Sequence, residues 1–353
     1  MINKPTLIIL SPGFPKDEQD TTCLPAQQSF VKALDKIFPS LNIIILAFQY
    51  PFVSKKYKWF GNDVISFNGS NKRLPLRLFL WLRIYKALKK LKKQEYMIGV
   101  LSFWCSECAL VGKYFANKNN LIHINWILGQ DAKENNRYVK WIKPSSSELI
   151  ALSDFLSDTY FKNHGIKPAH VIPLGVNKSI YSENVLEKNI DVMGTGSLIP
   201  LKQYDVFIEV VAAIKKFLPE MNVVLCGGGP EEKKLKKLVK QYHLEKNISL
   251  VGNTEHEQVL QLMKKAKIFL HPSSYEGFST ACLEALYAGA HVISFVKPMN
   301  RSIQNWHIVK TKEDMIEKTL ELLNDPATRY EPVLPYTIDD SAKAVMNLFK
   351  YSE

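Results

Sequence analysis

Five cysteines in 353 residues, an odd number at irregular spacing, argue against a disulfide framework. No apolar run approaches the ~18 residues that a membrane-spanning helix needs. The first strand-like run, residues 6–10, is too short for a signal-peptide core, so a cytoplasmic protein is expected. There is no D-x-D triplet and no cluster of metal-ligating side chains at matching spacing, so no metal or other cofactor is expected. Acidic residues are few, 34 against 46 Lys and Arg, for a net charge of +12. That balance favours nucleic acid, anionic lipid or phosphorylated ligands without choosing among them. What remains, 46% hydrophobic and 23% charged residues, is the composition of a globular protein long enough for two domains.

Residues 271–295, HPSSYEGFSTACLEALYAGAHVISF, organise the chain. Ile268, Phe269 and Leu270 run apolar into Pro272, which fixes φ and lacks a ladder donor. Ser279 or Thr280 can cap a helix that reaches about Ala288, with Gly289 as its stop. Glu276 precedes that helix, Glu284 lies inside it, and seven residues separate them. A helix N-terminus favours phosphate, and flanking carboxylates accept hydrogen bonds from sugar hydroxyls. The plainer alternative is two ordinary glutamates in a βαβ unit.

The motif P-S-x-x-E-G-F-x-x-x-x-L-E-A-x-x-x-G, residues 272–289, resembles the donor-site signature of family-4 glycosyltransferases, retaining enzymes of the GT-B fold. The resemblance implies that Glu276 reaches the donor sugar and that Glu284 holds the ribose hydroxyls. Gly277, Phe278, Ser279 and Thr280 would then supply the helix start under the diphosphate. The loop GTGSLIPLKQYD resembles the family's phosphate loop, with Lys202 as its lysine and Ser197 where the family usually has arginine. No arginine occurs between Arg137 and Arg301 to replace it. CGGGP, residues 226–230, resembles a family turn in which Gly227 and Gly229 admit the nucleotide, or simply serve the turn. Val251 and Asn253 fall in the segment whose backbone reads the base. Gly13 stands where the family usually has a glycine pair near the donor phosphate. At Gly129 the family's preceding histidine is Leu128 here, which leaves Asp131 as the polar candidate on the acceptor side.

Two further stretches have alternative readings. Residues 71–93 hold nine Lys and Arg interleaved with leucines, and no Asp or Glu occurs between Asp63 and Glu95. The segment reads as an amphipathic basic helix for an anionic membrane surface, or as a domain helix with a solvated lysine face. W-C-x-x-C at 104–108 reads as a strand-to-helix turn where a thiol could be activated, although nothing else supports a redox fold.

Strand and helix signals alternate, as in a parallel sheet with helices on both faces. The resemblance implies two doubly wound, Rossmann-like domains facing a central cleft: residues 1–173 for the acceptor, 174–335 for the nucleotide sugar, and a helix in 336–353 that crosses back. It further implies a hexosyltransferase-type enzyme. Such an enzyme moves a sugar from a nucleoside-diphosphate sugar to a saccharide or lipid-linked saccharide hydroxyl, without metal, in surface polysaccharide or glycolipid assembly. The alternatives are a nucleotide-sugar hydrolase or epimerase of the same fold, or a non-catalytic nucleotide-sugar-binding partner. Nucleic acid is not expected as a partner.

Overall fold

Aliphatic runs rich in isoleucine build the first sheet. β1 (Pro5–Gly13) and β2 (Asn42–Tyr50) pair in parallel, setting Leu7, Ile8, Ile9 and Leu10 against Ile43, Ile44, Ile45 and Leu46. All eight are buried, whichever face they point to, as in a parallel sheet covered by helices on both sides. The structure, a computed structural model, describes residues 4–73, 75–181 and 186–352; Leu74, within the basic segment, lies outside them.

β3 (Ser54–Trp59) and β4 (Asn62–Phe67) form an antiparallel hairpin at one sheet edge, which sequence patterning did not indicate. Its two-residue turn holds Phe60 at φ 44° and Gly61 at φ 86°. Positive φ at both positions is what a type I′ turn demands, and Asn-Gly rather than Phe-Gly is the usual signal for it. The unit continues through α1 (Pro25–Ile37), α2 (Leu76–Gln94), β5 (Tyr96–Phe103), α3 (Glu107–Asn119), β6 (Ile122–Ile127), α4 (Tyr138–Ile142), β7 (Leu149–Ala151), α5 (Asp154–His164) and β8 (His170–Val171). Strand order is β3-β4-β2-β1-β5-β6-β7-β8. The winding reverses between β1 and β5, so a crevice is expected beyond their carboxyl ends.

α2 occupies the basic segment from Leu76 onward. It buries Leu80, Ile84, Leu88 and Leu91 at helical spacing and leaves Leu76, Leu78, Phe79 and Leu82 exposed, the last two at 61% and 57%. The leucines therefore serve two surfaces: one stripe is core and the other faces out.

The second unit contains β9 (Ile190–Thr195), α6 (Tyr204–Ile214), β10 (Val223–Cys226), α7 (Glu232–Gln241), β11 (Ile248–Gly252), α8 (His256–Lys265), β12 (Ala266–His271), α9 (Thr280–Tyr287), β13 (His291–Ser294), β14 (Trp306–Ile308) and α10 (Lys312–Asn324). Its strands are all parallel in the order β11-β10-β9-β12-β13-β14. That is the dinucleotide-fold order, with its switch point between β9 and β12. Phe207, Ile208 and Val211 of α6 and Met315 of α10 pack with Val192, Ile268 and Ile293 of the strands in one core.

The first unit spans Met1–Gly175 together with Ile338–Glu353, and the second spans Val176–Thr337. The terminal helix α11 (Ile338–Leu348) thus belongs to the first unit, where its Ser341 Oγ donates to Pro173 O at 2.7 Å.

Candidate functional site

Two loops meet beyond the switch point of the second sheet. The loop after β9 runs through Gly196 and Ser197 into a single 3₁₀ turn, Pro200–Lys202, closed by Gln203 in the left-handed region. The loop after β12 runs from Pro272 to Ser279. The Ser274 amide donates to Leu201 O at 3.1 Å and ties them together. Behind them sits the glycine turn after β10. A Cβ on Gly227 would lie 1.9 Å from Gly196 O, and one on Gly229 would lie 2.5 Å from Leu198 O. These glycines make room for the neighbouring loop, which accounts for the CGGGP run without a nucleotide.

The junction places Lys202 against Glu276, Nζ donating to Oε2. Beneath them is His271, 3% exposed, whose Nε2 lies 3.2 Å from the same carboxylate oxygen and 3.1 Å from Ser273 Oγ. Burial opposes charge on Glu276, but the His271 hydrogen bond and the Lys202 ammonium outweigh it and hold the carboxyl down at about 2. Burial, reinforced by Lys202 and only partly countered by Glu276, lowers His271, which therefore serves as a neutral N–H donor. The outcome is an ionised, oriented carboxylate with a cation beside it at a sheet switch point.

α9 begins at this place. Ser279 is its N-cap, with Oγ accepting from Cys282 N at 3.3 Å, and Thr280 is its first residue. Phe278 is buried, stacked on Trp306 at 5.9 Å and edge-on to Tyr336, so its ring anchors the helix start. One turn further on, Glu284 Oε1 accepts from His256 Nε2 at 2.9 Å. His256 opens α8, shortly after Val251 near the end of β11 and Asn253 in the loop that follows. Asn253 lies against the glycine turn, since a Cβ on Gly228 would come within 2.7 Å of its Oδ1.

Lys202 and Glu276 are thus in contact. Ser197 and residues 277–279 lie on the loops beyond β9 and β12, Thr280 and Glu284 in α9, Val251 near the end of β11 and Asn253 just after it. His271 and His256 were not singled out from the sequence. Only their three-dimensional partners distinguish them from structural histidines, and no motif spacing marks them.

Gly13 and Asp131 belong to the first unit, where both line a concavity of about 660 Å³ beyond the ends of β1 and β5. Asp131 accepts from the backbone N–H groups of Cys105, Leu128 and Gly129, and burial pushes its carboxyl up to about 6 against those bonds. It braces the loop ends under the concavity. Glu107, also lining it, is held by Gln49 Nε2 and by Trp81 Nε1 at 2.6 Å. Trp104 stands at its edge with φ 63°, a strained conformation for a bulky residue. Burial pushes the Cys105 thiol up to about 12 and raises that of Cys108 well above its ordinary value, so W-C-x-x-C is not an activated pair.

A parallel sheet of dinucleotide-fold order with a carboxylate–lysine pair at its switch point narrows the class, and known proteins resemble it. Residues 177–332 match the model of the glycosyl transferases group 1. That match lies within the second unit and covers less than half of the chain. The gpi3 subunit of phosphatidylinositol N-acetylglucosaminyltransferase from Schizosaccharomyces pombe is 34% identical over 203 residues, 56% of this chain and 44% of the relative. This chain therefore matches less than half the length of that relative. Among solved structures, S. aureus TarM superposes with a TM-score of 0.73 at 14% identity, covering 99% of both chains. Anabaena HepE, solved with UDP and glucose, superposes with a TM-score of 0.67 at 14% identity, covering 98% of this chain and 97% of its own. The fold is GT-B.

Proposed function

We propose that this chain is a retaining hexosyltransferase that moves a sugar from a UDP-sugar to a hydroxyl acceptor. The observation that carries it is the Lys202–Glu276 contact beside the start of α9, at the switch point of the family-matched sheet. UDP is the base of choice because it is the nucleotide in the HepE structure. Lys202 Nζ has three donors, enough to serve Glu276 and a diphosphate oxygen together. With the N–H groups at Phe278 to Thr280 it would stabilise the departing diphosphate. Glu276 orients the sugar, Glu284 takes the ribose hydroxyls, and the acceptor attacks on the face the diphosphate leaves, without a protein nucleophile. No dedicated metal is needed, so EDTA leaves turnover unchanged.

The acceptor is a saccharide or lipid-linked saccharide in surface polysaccharide or glycolipid assembly. The exposed face of α2 would hold the chain at the inner membrane surface from the cytoplasmic side: Phe79 and Leu82 continue into Lys86, Lys89, Lys90 and Lys93. Among the described residues no helix is long and apolar enough to cross a membrane.

Thermal unfolding with UDP, GDP, ADP and their sugar conjugates tests the reading. A ligand at 100 times its Kd stabilises by about 2.7 kcal/mol. UDP should stabilise the wild type and not Glu284→Ala. A shift with no nucleotide would overturn the donor site, and binding without turnover would leave a non-catalytic sugar-nucleotide partner.

A further inference from the structure

Resting on that donor-site reading, we propose that His256 is a positioning residue that sets Glu284 for the ribose diol and so gives this chain its preference for ribonucleotides. Glu284 lies between Leu283 and Ala285, both fully buried, in a helix whose other polar side chains are few. Its side chain is 16% exposed and that of His256 is 35% exposed, so the pair lies at a surface a ligand can reach.

A glutamate carboxylate turns about three bonds, and fixing such a side chain costs rotamer freedom. His256 Nε2 takes one oxygen, Oε1, at 2.9 Å. That fixes the side chain and leaves Oε2, with both lone pairs, to accept from vicinal hydroxyls. The helix is held from its backbone as well: Tyr181 Oη donates to Glu284 O at 3.0 Å. The Glu284 hydrogen bond raises His256 despite burial, in keeping with a ring that donates to a carboxylate. His256 also follows closely on Val251 at the end of β11 and Asn253 in the loop after it. One short segment therefore presents both the loop expected to meet the base and the donor that aligns the ribose carboxylate. A mere tie between α8 and α9 would give the same hydrogen bond but no dependence on the sugar of the nucleotide.

Calorimetric titration of wild type, His256→Ala, His256→Gln and Glu284→Gln with UDP and 2′-deoxy-UDP separates the two. Wild type should bind UDP on the order of tenfold tighter than 2′-deoxy-UDP, the effect of one hydrogen bond to a charged group. His256→Ala should lose about that factor for UDP, change little for the deoxynucleotide, and so collapse the ratio. His256→Gln retains an amide N–H and should restore part of it. If His256→Ala fails to fold, the His256→Gln and Glu284→Gln titrations still measure the ratio. A ratio unchanged in the His256 variants, with wild type binding UDP, overturns the role of His256. No binding of UDP, GDP or ADP to wild type overturns the donor-site reading beneath it.

Discussion

Glu276 carries an acid-limb signature that a surface glutamate would not. Its ordinary value is 4.5 and in the folded chain it is held at about 2. The unfolded chain therefore takes up the proton first as pH falls, and the contribution of this group is present above about pH 4.5 and lost between there and pH 2. Denaturant unfolding of wild type and Glu276→Gln at pH 7, 4 and 3 should show a shallower fall for the variant across that window. Equal slopes would mean that Glu276 is not held as described. Lys202→Met should cost about 1–3 kcal/mol by stranding a largely buried carboxylate, and less when combined with Glu276→Gln, because the two share one interaction. Both single variants should lower turnover by about 10²-fold or more, as loss of a transition-state charge partner does. At this scale the meeting of Lys202 with Glu276 could be anticipated because spaced motifs mark both residues. His271 and His256 could not, because each acquires its role from a partner: Glu276 five residues away, and Glu284 twenty-eight residues away.

The elements that could be read were those with local signals. Ser153 and Ser279 cap α5 and α9 through their side chains, where a serine before an apolar run suggests a helix start. α10 starts three residues earlier than its apolar run because Thr311 and Asp314 form a capping box ahead of it. β14 and β8, of three and two residues, owe their existence to neighbouring strands and leave no pattern of their own. The glycine turn after β10 makes a prediction at this scale. Gly227 has φ 137° and no room for a Cβ, whereas Gly252 has φ 78° and nothing within 4 Å of that position. Gly252→Ala should cost about 1–2 kcal/mol for the left-handed backbone alone. Gly227→Ala should cost distinctly more and disturb UDP binding, since the clash displaces the loop that leads to Lys202. Chemical denaturation and UDP titration of the two variants check it. For α2, Leu82→Glu and Phe79→Ser remove exposed apolar groups, so they should leave the melting temperature nearly unchanged and weaken co-sedimentation with anionic liposomes. Retained binding, or none by wild type at low salt, would dismiss the membrane surface.

For the molecule as a whole, the second unit was the more legible because donor motifs and strand–helix alternation coincide there. The first has no such motif, and its hairpin and concavity emerge only in three dimensions. The chain leaves the first unit after Gly175 and returns to it at Ile338. α11 buries Ile338, Ala342, Val345 and Met346, and Phe349 follows, 4% exposed. The Phe349 ring lies against Gly99 of β5, where a Cβ would come within 2.4 Å of it, and Lys36 of α1 pairs with Asp339 at 2.7 Å. Each buried apolar side chain contributes about 1.5–3 kcal/mol, so the helix contributes on the order of 10 kcal/mol, comparable with the whole stability of a domain. A chain ending at Thr337 should therefore lose the first unit and keep the second. Hydrogen exchange should show β1 and β5 amides unprotected and β9 and β12 amides protected. Full protection of β1 in the shortened chain would show that the first sheet holds without its returning helix.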